Sequence, residues 1–232
     1  MDESKIQNLL LAVTNLKKSF RKPSNEMLEV LREVSFTANA GEMIAVTGPS
    51  GAGKSTLLHL VGGLEKADAG EIKLDRFDVT KAGASELATY RQRDVGFVFQ
   101  FHHLLPDLSA IENVAMPLLI NRVFKSEAMR RAALMLERMY MSERASHAVG
   151  QLSGGEQQRL SLARALITEP RIVLADEPTG NLDAQTGADI SALLKAYAVV
   201  NNAAVIVATH NEHLGQMCNR VLVLRDGKIE DL

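Results

Sequence analysis

Between residues 9 and 47 short apolar runs alternate with turns, as in "LLLAVTNL" and "VLREVSFTANAGEMIAVTG". That rhythm predicts strands. The polar segment "RKPSNEM" at 21–27 carries Pro23 and breaks the pattern as a hairpin tip. Beyond it the apolar spacing lengthens, predicting helices after Gly53, around 85–92, 109–119 and 126–140, and from Ser153 to about 168. Compact β-branched runs lie between and after them: "DVGFVF" (94–99), "RIVLAD" (171–176), "AAVIVAT" (203–209) and "RVLVL" (220–224). Strands that are apolar on both faces and alternate with helices predict an α/β fold with a mostly parallel sheet flanked by helices. The early strands predict an antiparallel β subdomain. Residues 101–165 read as a helical lobe inserted into one 1–232 domain, and no repeat or low-complexity tract interrupts the chain.

Two segments add chemistry to this frame. "GPSGAGKS", Gly48 to Ser55, lies between the strand-like "EMIAVTG" and the helix-like "TLLHLVG" and matches G-x-x-x-x-G-K-[ST]. Its glycines let backbone N–H groups converge on phosphate oxygens, and the helix that follows points its positive end at the same anion. Lys54 adds a full charge near the terminal phosphates, and Ser55 offers a hydroxyl to Mg²⁺. "IVLADEP" ends an apolar strand in Asp176 and Glu177, followed by Pro178. Asp176 suits a metal shell and Glu177 an attacking water. Gln100 and His210 end the strands "VGFVFQ" and "VIVAT", where the carboxyl edge of a parallel sheet borders its ligand.

"QLSGGEQQRL", residues 151–160, offers a second anion-binding helix start, this time without a lysine. Ser153, Gly154 and Gly155 would present a hydroxyl, backbone N–H groups and a helix end to a phosphate held elsewhere. The simplest such geometry pairs two chains head to tail. The same residues serve equally as an N-cap whose glycines permit close helix approach, and the turn alone does not choose between the two.

Composition narrows the class. The chain has 232 residues, is 46% hydrophobic and carries a formal net charge of −2, with no basic stripe to grip nucleic acid. One cysteine, Cys218, excludes an internal disulfide and suits a reducing compartment. Runs such as "AALML" and "AAVIVA" are too short to cross a bilayer, and the first ten residues lack the apolar core of a secretory leader. Apart from His210, His102 and His103 are adjacent and so poorly placed to share one metal, and His59, His147 and His213 have no ligand partners at useful spacing, so no zinc site is expected.

Taken in order, "GPSGAGKS", "LSGGEQQR", "IVLADEPTGNLD" and "ATH" resemble the ATP-binding cassette ATPases of ABC transporters over nearly the whole chain. The resemblance implies a P-loop NTPase core hydrolysing Mg·ATP. Gly48, Pro49, Ser50, Gly51, Ala52, Gly53, Lys54, Ser55 and Thr56 then bind nucleotide. Ser55, Gln100 and Asp176 hold the metal, and Glu177, His210 and Gln100 serve catalysis. Ser153, Gly154, Gly155 and Gln157 fall in the signature motif, and Asn181–Asp183 in the D-loop. Phe20, in "KKSF", matches an adenine-stacking position usually filled by tyrosine, although a strand-core phenylalanine would look the same. The implied partners are a second copy and transmembrane permease subunits at the cytoplasmic face of the inner membrane. The segment "GFVFQFHHLLPDLSAIENVAMPLLI" is most similar to the lipoprotein-release and efflux group, whose motifs are shared by cell-division cassettes. In that lobe Met116, Met129, Met135 and Met139 are expected mostly in the core, with one or two lining a partner groove. Soluble cassettes acting on ribosomes or DNA carry two cassettes or a long coiled coil, and neither occurs in this sequence.

Overall fold

The computed structural model describes residues 8–180 and 182–231, with the side chain of Asp231 left aside. Asn181 and the first seven residues, and with them most of the segment read for a leader, lie outside the described residues. The chain opens with β1 (Leu9–Arg21) and β2 (Met27–Asn39), an antiparallel hairpin. Its tip closes where the sequence places it, through Asn25 N–H to Lys22 O at 2.9 Å. Then follow β3 (Met43–Thr47), α1 (Lys54–Val61), β4 (Ala69–Leu74), β5 (Phe77–Asp78), α2 (Ala84–Arg93) and β6 (Val95–Val98). Three helices come next: α3 (Ala110–Ile120), α4 (Lys125–Arg138) and α5 (Gly154–Leu166). The chain ends with β7 (Ile172–Asp176), α6 (Ala184–Asn201), β8 (Ala204–Ala208), α7 (Glu212–Met217), β9 (Arg220–Arg225) and β10 (Lys228–Asp231).

Two sheets result. One is antiparallel, in the order β2-β1-β4-β5; the other runs β10-β9-β3-β8-β7-β6 and is parallel except at its β10 edge. The pleat sorts side chains between two cores. Ile44, Val46, Ile172, Leu174, Ala204 and Ile206 face α1 and the antiparallel sheet. Met43, Val173, Ala175, Val205 and Val207 face α6 and run on without a break into the interior of α3–α5. Helix α6 escapes the periodicity reading because its apolar residues are spread around the axis: Ile190, Leu194 and Ala198 are buried while Val199 and Val200 are exposed.

Helix α5 lies close on β6. A Cβ on Gly96 would meet Ala165 O at 2.6 Å, so only glycine fits. Buried Asn113 on α3 fixes the loop between β6 and α3, taking Leu105 N–H at 2.8 Å and donating to the carbonyls of Leu105, Leu108 and Ser109. Of the lobe's methionines, Met135 and Met139 are buried, Met129 packs against the core and Met116 lines a cavity.

Candidate active site

The connection from β3 to α1 is bent by three glycines with positive φ: 144° at Gly48, 78° at Gly51 and 104° at Gly53. A Cβ on Gly48 would sit 2.2 Å from Leu224 O, which leaves no room for another residue. The loop curls far enough for the Lys54 ammonium to donate to Gly48 O at 2.8 Å and Pro49 O at 3.1 Å. No ion pair claims Lys54 among the described residues, so its charge faces the space beside the loop. That space is a cavity of about 670 Å³. Ser50, Gly51, Gly53, Lys54, Ser55 and Thr56 border it on one side, and Gln100, Asp176, Glu177 and His210 on the other. Gly48 and Pro49 line a separate groove beyond His210, and Ala52 packs on the core.

Asp176 is the last residue of β7, paired with Ala208 of β8. Strand alternation would then turn Glu177 to a different side. The structure instead puts Glu177 in the left-handed region at φ 46°, directly before Pro178, a position that steric contact normally holds extended. Its N–H continues the ladder to Ala208 O at 2.9 Å, and both carboxylates reach one cavity. The Glu177 carboxylate is 10% exposed and already oriented, with one oxygen 2.7 Å from His210 Nδ1. The other accepts from Thr209 Oγ1 at 3.2 Å and His210 N–H at 3.4 Å. Thr209 carries no site motif of its own in the sequence; its only signal is adjacency to His210 at the strand end.

Strain of this kind costs about 1–3 kcal/mol and persists where its surroundings over-determine it. The Thr209–His210 segment is that surrounding. Gln100 lies two residues beyond β6, its loop tied to the lobe by Arg164, whose guanidinium donates to His102 O and His103 O, each at 2.7 Å. Burial of Arg164 disfavours its charged form. Phe20 lies at the cavity mouth, 39% exposed, with the Lys18 ammonium 4.9 Å from its ring centroid.

The second helix start is placed differently. Ser153 caps α5, its Oγ accepting Glu156 N–H at 3.3 Å while Ser153 N–H donates to Glu156 Oε2 at 2.8 Å. Glu156 Oε1 pairs with Arg144 at 2.7 Å. Ser153 and Gly154 are exposed, and neither borders the cavity beside Lys54. The Gln157 amide turns into its own lobe, donating to Leu152 O at 3.0 Å and Val149 O at 3.3 Å. Asp183 caps α6, accepting Thr186 N–H at 3.0 Å and Thr186 Oγ1 at 2.7 Å. Those bonds hold its carboxyl below the ordinary carboxylate range, the backbone N–H contributing most. Among the candidates, then, Ser50 to Thr56 (Ala52 excepted), Phe20, Gln100, Asp176, Glu177 and His210 converge. The signature turn and Asp183 lie outside that cavity, although Gly154 borders a small neighbouring one with Gln100 and Glu177.

A phosphate-shaped loop facing a strand-end acidic pair, on a parallel sheet with a helical insertion, defines a P-loop nucleotide hydrolase with a second, outward-facing helix start. The chain belongs to the ABC transporter ATPase family, whose profile matches residues 31–180, and it is an ATP-hydrolysing member. It is 48% identical over 204 residues to the lipoprotein-releasing system ATP-binding protein LolD of Hyphomonas neptunium (strain ATCC 15444), covering 88% of this chain and 90% of that protein. Two solved structures of the ATP-binding cassette MJ0796, a bacterial ABC transporter cassette, superpose with a TM-score of 0.89 at 36% identity, over 95% of this chain and 97% of theirs. Both are dimeric, and one is a post-hydrolysis state bound to ADP and Pi.

Proposed function

We propose that two copies of this chain close head to tail around two Mg·ATP and drive transmembrane permease subunits in lipoprotein release from the inner membrane. One observation carries the reading: Ser153 and Gly154 are exposed and outside the cavity beside Lys54, which leaves this helix start open to a phosphate held by another copy. Lys54 and the loop N–H groups hold the β- and γ-phosphates, and Phe20 stacks on the adenine. Ser55, Asp176 and Gln100 would hold Mg²⁺, which would supply charge neutralisation on the phosphates. Glu177, fixed by His210 and Thr209, orients the water that attacks the γ-phosphorus, and ADP leaves. Closure depends on the γ-phosphate contacting both copies, so its loss favours the open state.

The groove for the permease is a mostly apolar cavity of about 510 Å³ between α2, β6 and α3, lined by Val95, Phe97, Phe99, Leu105, Met116 and Ile120. It flanks the strand that leads to Gln100, so a helix seated there would bear on the nucleotide site. Attachment to the cytoplasmic face of the membrane would come through these partners; among the described residues no helix is long and apolar enough to cross a membrane. Lipoprotein release is favoured over efflux or cell division by the similarity to LolD. Glu177→Gln tests the chemistry: hydrolysis should fall about 10²–10³-fold, with an ATP-bound dimer accumulating in size-exclusion chromatography. Hydrolysis at the wild-type rate would sink the role. Co-purification from membranes with a permease of another system would sink the assignment to lipoprotein release.

A further inference from the structure

Glu156 carries two conflicting demands. As the third residue of α5 it closes the capping box that fixes Ser153. A carboxylate within the first turn nevertheless lies close to the N–H groups that are to meet a triphosphate, and its charge has the wrong sign for that encounter. Its carboxyl is held below the ordinary range, first by Ser153 N–H and then by Arg144, so it is ionised at neutral pH. Arg144 comes from the 3-10 turn Ser142–Arg144, twelve residues earlier, and that turn is itself pinned. Arg144 N–H donates to Met141 O at 3.0 Å, and His147 N–H donates to Arg144 O at 2.9 Å. Its Nε lies 2.7 Å from Glu156 Oε1, on the side of the carboxylate away from the bond to Ser153 N–H.

We infer that Arg144 is a positioning residue for ATP hydrolysis, which neutralises Glu156 so that the Ser153–Gly155 turn meets the other copy's triphosphate without an uncompensated like charge behind it. This rests on the reading that the signature turn faces the partner's nucleotide. Two-fold pairing places the device at both sites, so each closure event feels it twice.

The test uses the full chain and steady-state ATP hydrolysis with Arg144→Ala, Arg144→Lys, Glu156→Gln and the double variant. Arg144→Ala should raise the ATP concentration for half-maximal rate about fivefold at low salt, with a smaller change in kcat. Added salt should shrink that effect, since screening weakens exposed charges beyond a Debye length of about 8 Å at physiological ionic strength. In the Glu156→Gln background, the cost of Arg144→Ala should contract to within about twofold, because the charge to be neutralised is gone. Arg144→Lys should restore the affinity. A purely structural ion pair behaves otherwise: Arg144→Ala would cost the same with Glu or Gln at 156, would ignore salt and would lower the melting temperature. That result overturns the inference. Gly154→Ala separates the two layers. If Gly154→Ala is fully active, the reading of the turn fails and the inference with it; if Gly154→Ala is impaired while Arg144→Ala is not, only the inference fails.

Discussion

The two glycine-rich helix starts look alike on paper and are built on opposite principles. At Gly48–Ser55 the glycines serve the backbone itself, with φ of 144°, 78° and 104° and a carbonyl 2.2 Å from where a Cβ would sit on Gly48. The loop is concave, holds a lysine and borders a cavity. At Ser153–Gly155 the backbone is ordinary: Ser153 has extended φ/ψ, and a Cβ on Gly154 would meet nothing within 4 Å. Its polar groups are already used within a capping box. Gly154 thus has room for a side chain within its own chain, whereas Gly155 lies against Thr186. On the proposed function, the first start is one half of a site and the second supplies the other half to another copy.

The largest way to break this contrast is Gly48→Ala. A Cβ forced against Leu224 O at a φ of 144° is expected to cost about 3 kcal/mol or more and to abolish nucleotide binding. Thermal melting and binding of a fluorescent ATP analogue check it; a native melting point with intact binding would mean the loop tolerates a side chain. Gly154→Ala should act in the opposite sense. Folding is expected to be unchanged or slightly improved, because alanine is the better helix former and the space is open. Hydrolysis should fall about tenfold, because the turn can no longer approach the partner's phosphate closely. Wild-type turnover with Gly154→Ala would leave the second start as nothing more than a cap.

Most of the framework was legible because burial writes itself into alternation. The strands at 94–99, 171–176, 203–209 and 220–224 fall within a residue or so of β6, β7, β8 and β9. Helix α6 was not legible: only the stripe Ile190, Leu194, Ala198 is buried, and exposed Val199 and Val200 blur it. In the site, motif spacing located the residues but not their directions. Gln157 and Asp183 sit inside motifs, yet their side chains turn back onto their own helix starts. The left-handed kink at Glu177 that brings both carboxylates into one cavity is imposed by β8 and the Thr209–His210 turn, thirty-odd residues away. Arg144 is invisible for the same reason, since its partner is chosen by how the 3-10 turn packs rather than by spacing.

The smallest test concerns the cap beside the signature turn. Asp183 holds the start of α6 as Ser153 holds α5, and Gly155 of one lies against Thr186 of the other, with 3.1 Å from its ideal Cβ to Thr186 Cγ2. The two outward-facing starts therefore share one support. With its folded pKa depressed, the Asp183 carboxylate contributes stability that is fully present above its unfolded value of about 3.9 and is lost as pH falls through the lower folded value. Asp183→Asn keeps a capping oxygen, so its melting point at pH 7 should stay near wild type, while the part of the acid-induced fall due to this group disappears. Asp183→Ala, which lacks any cap, should melt about 3 °C lower at pH 7. Equal melting of all three proteins at pH 7, together with identical acid profiles, would show that α6 starts without help from Asp183. The signature turn would then lean on Thr186 alone.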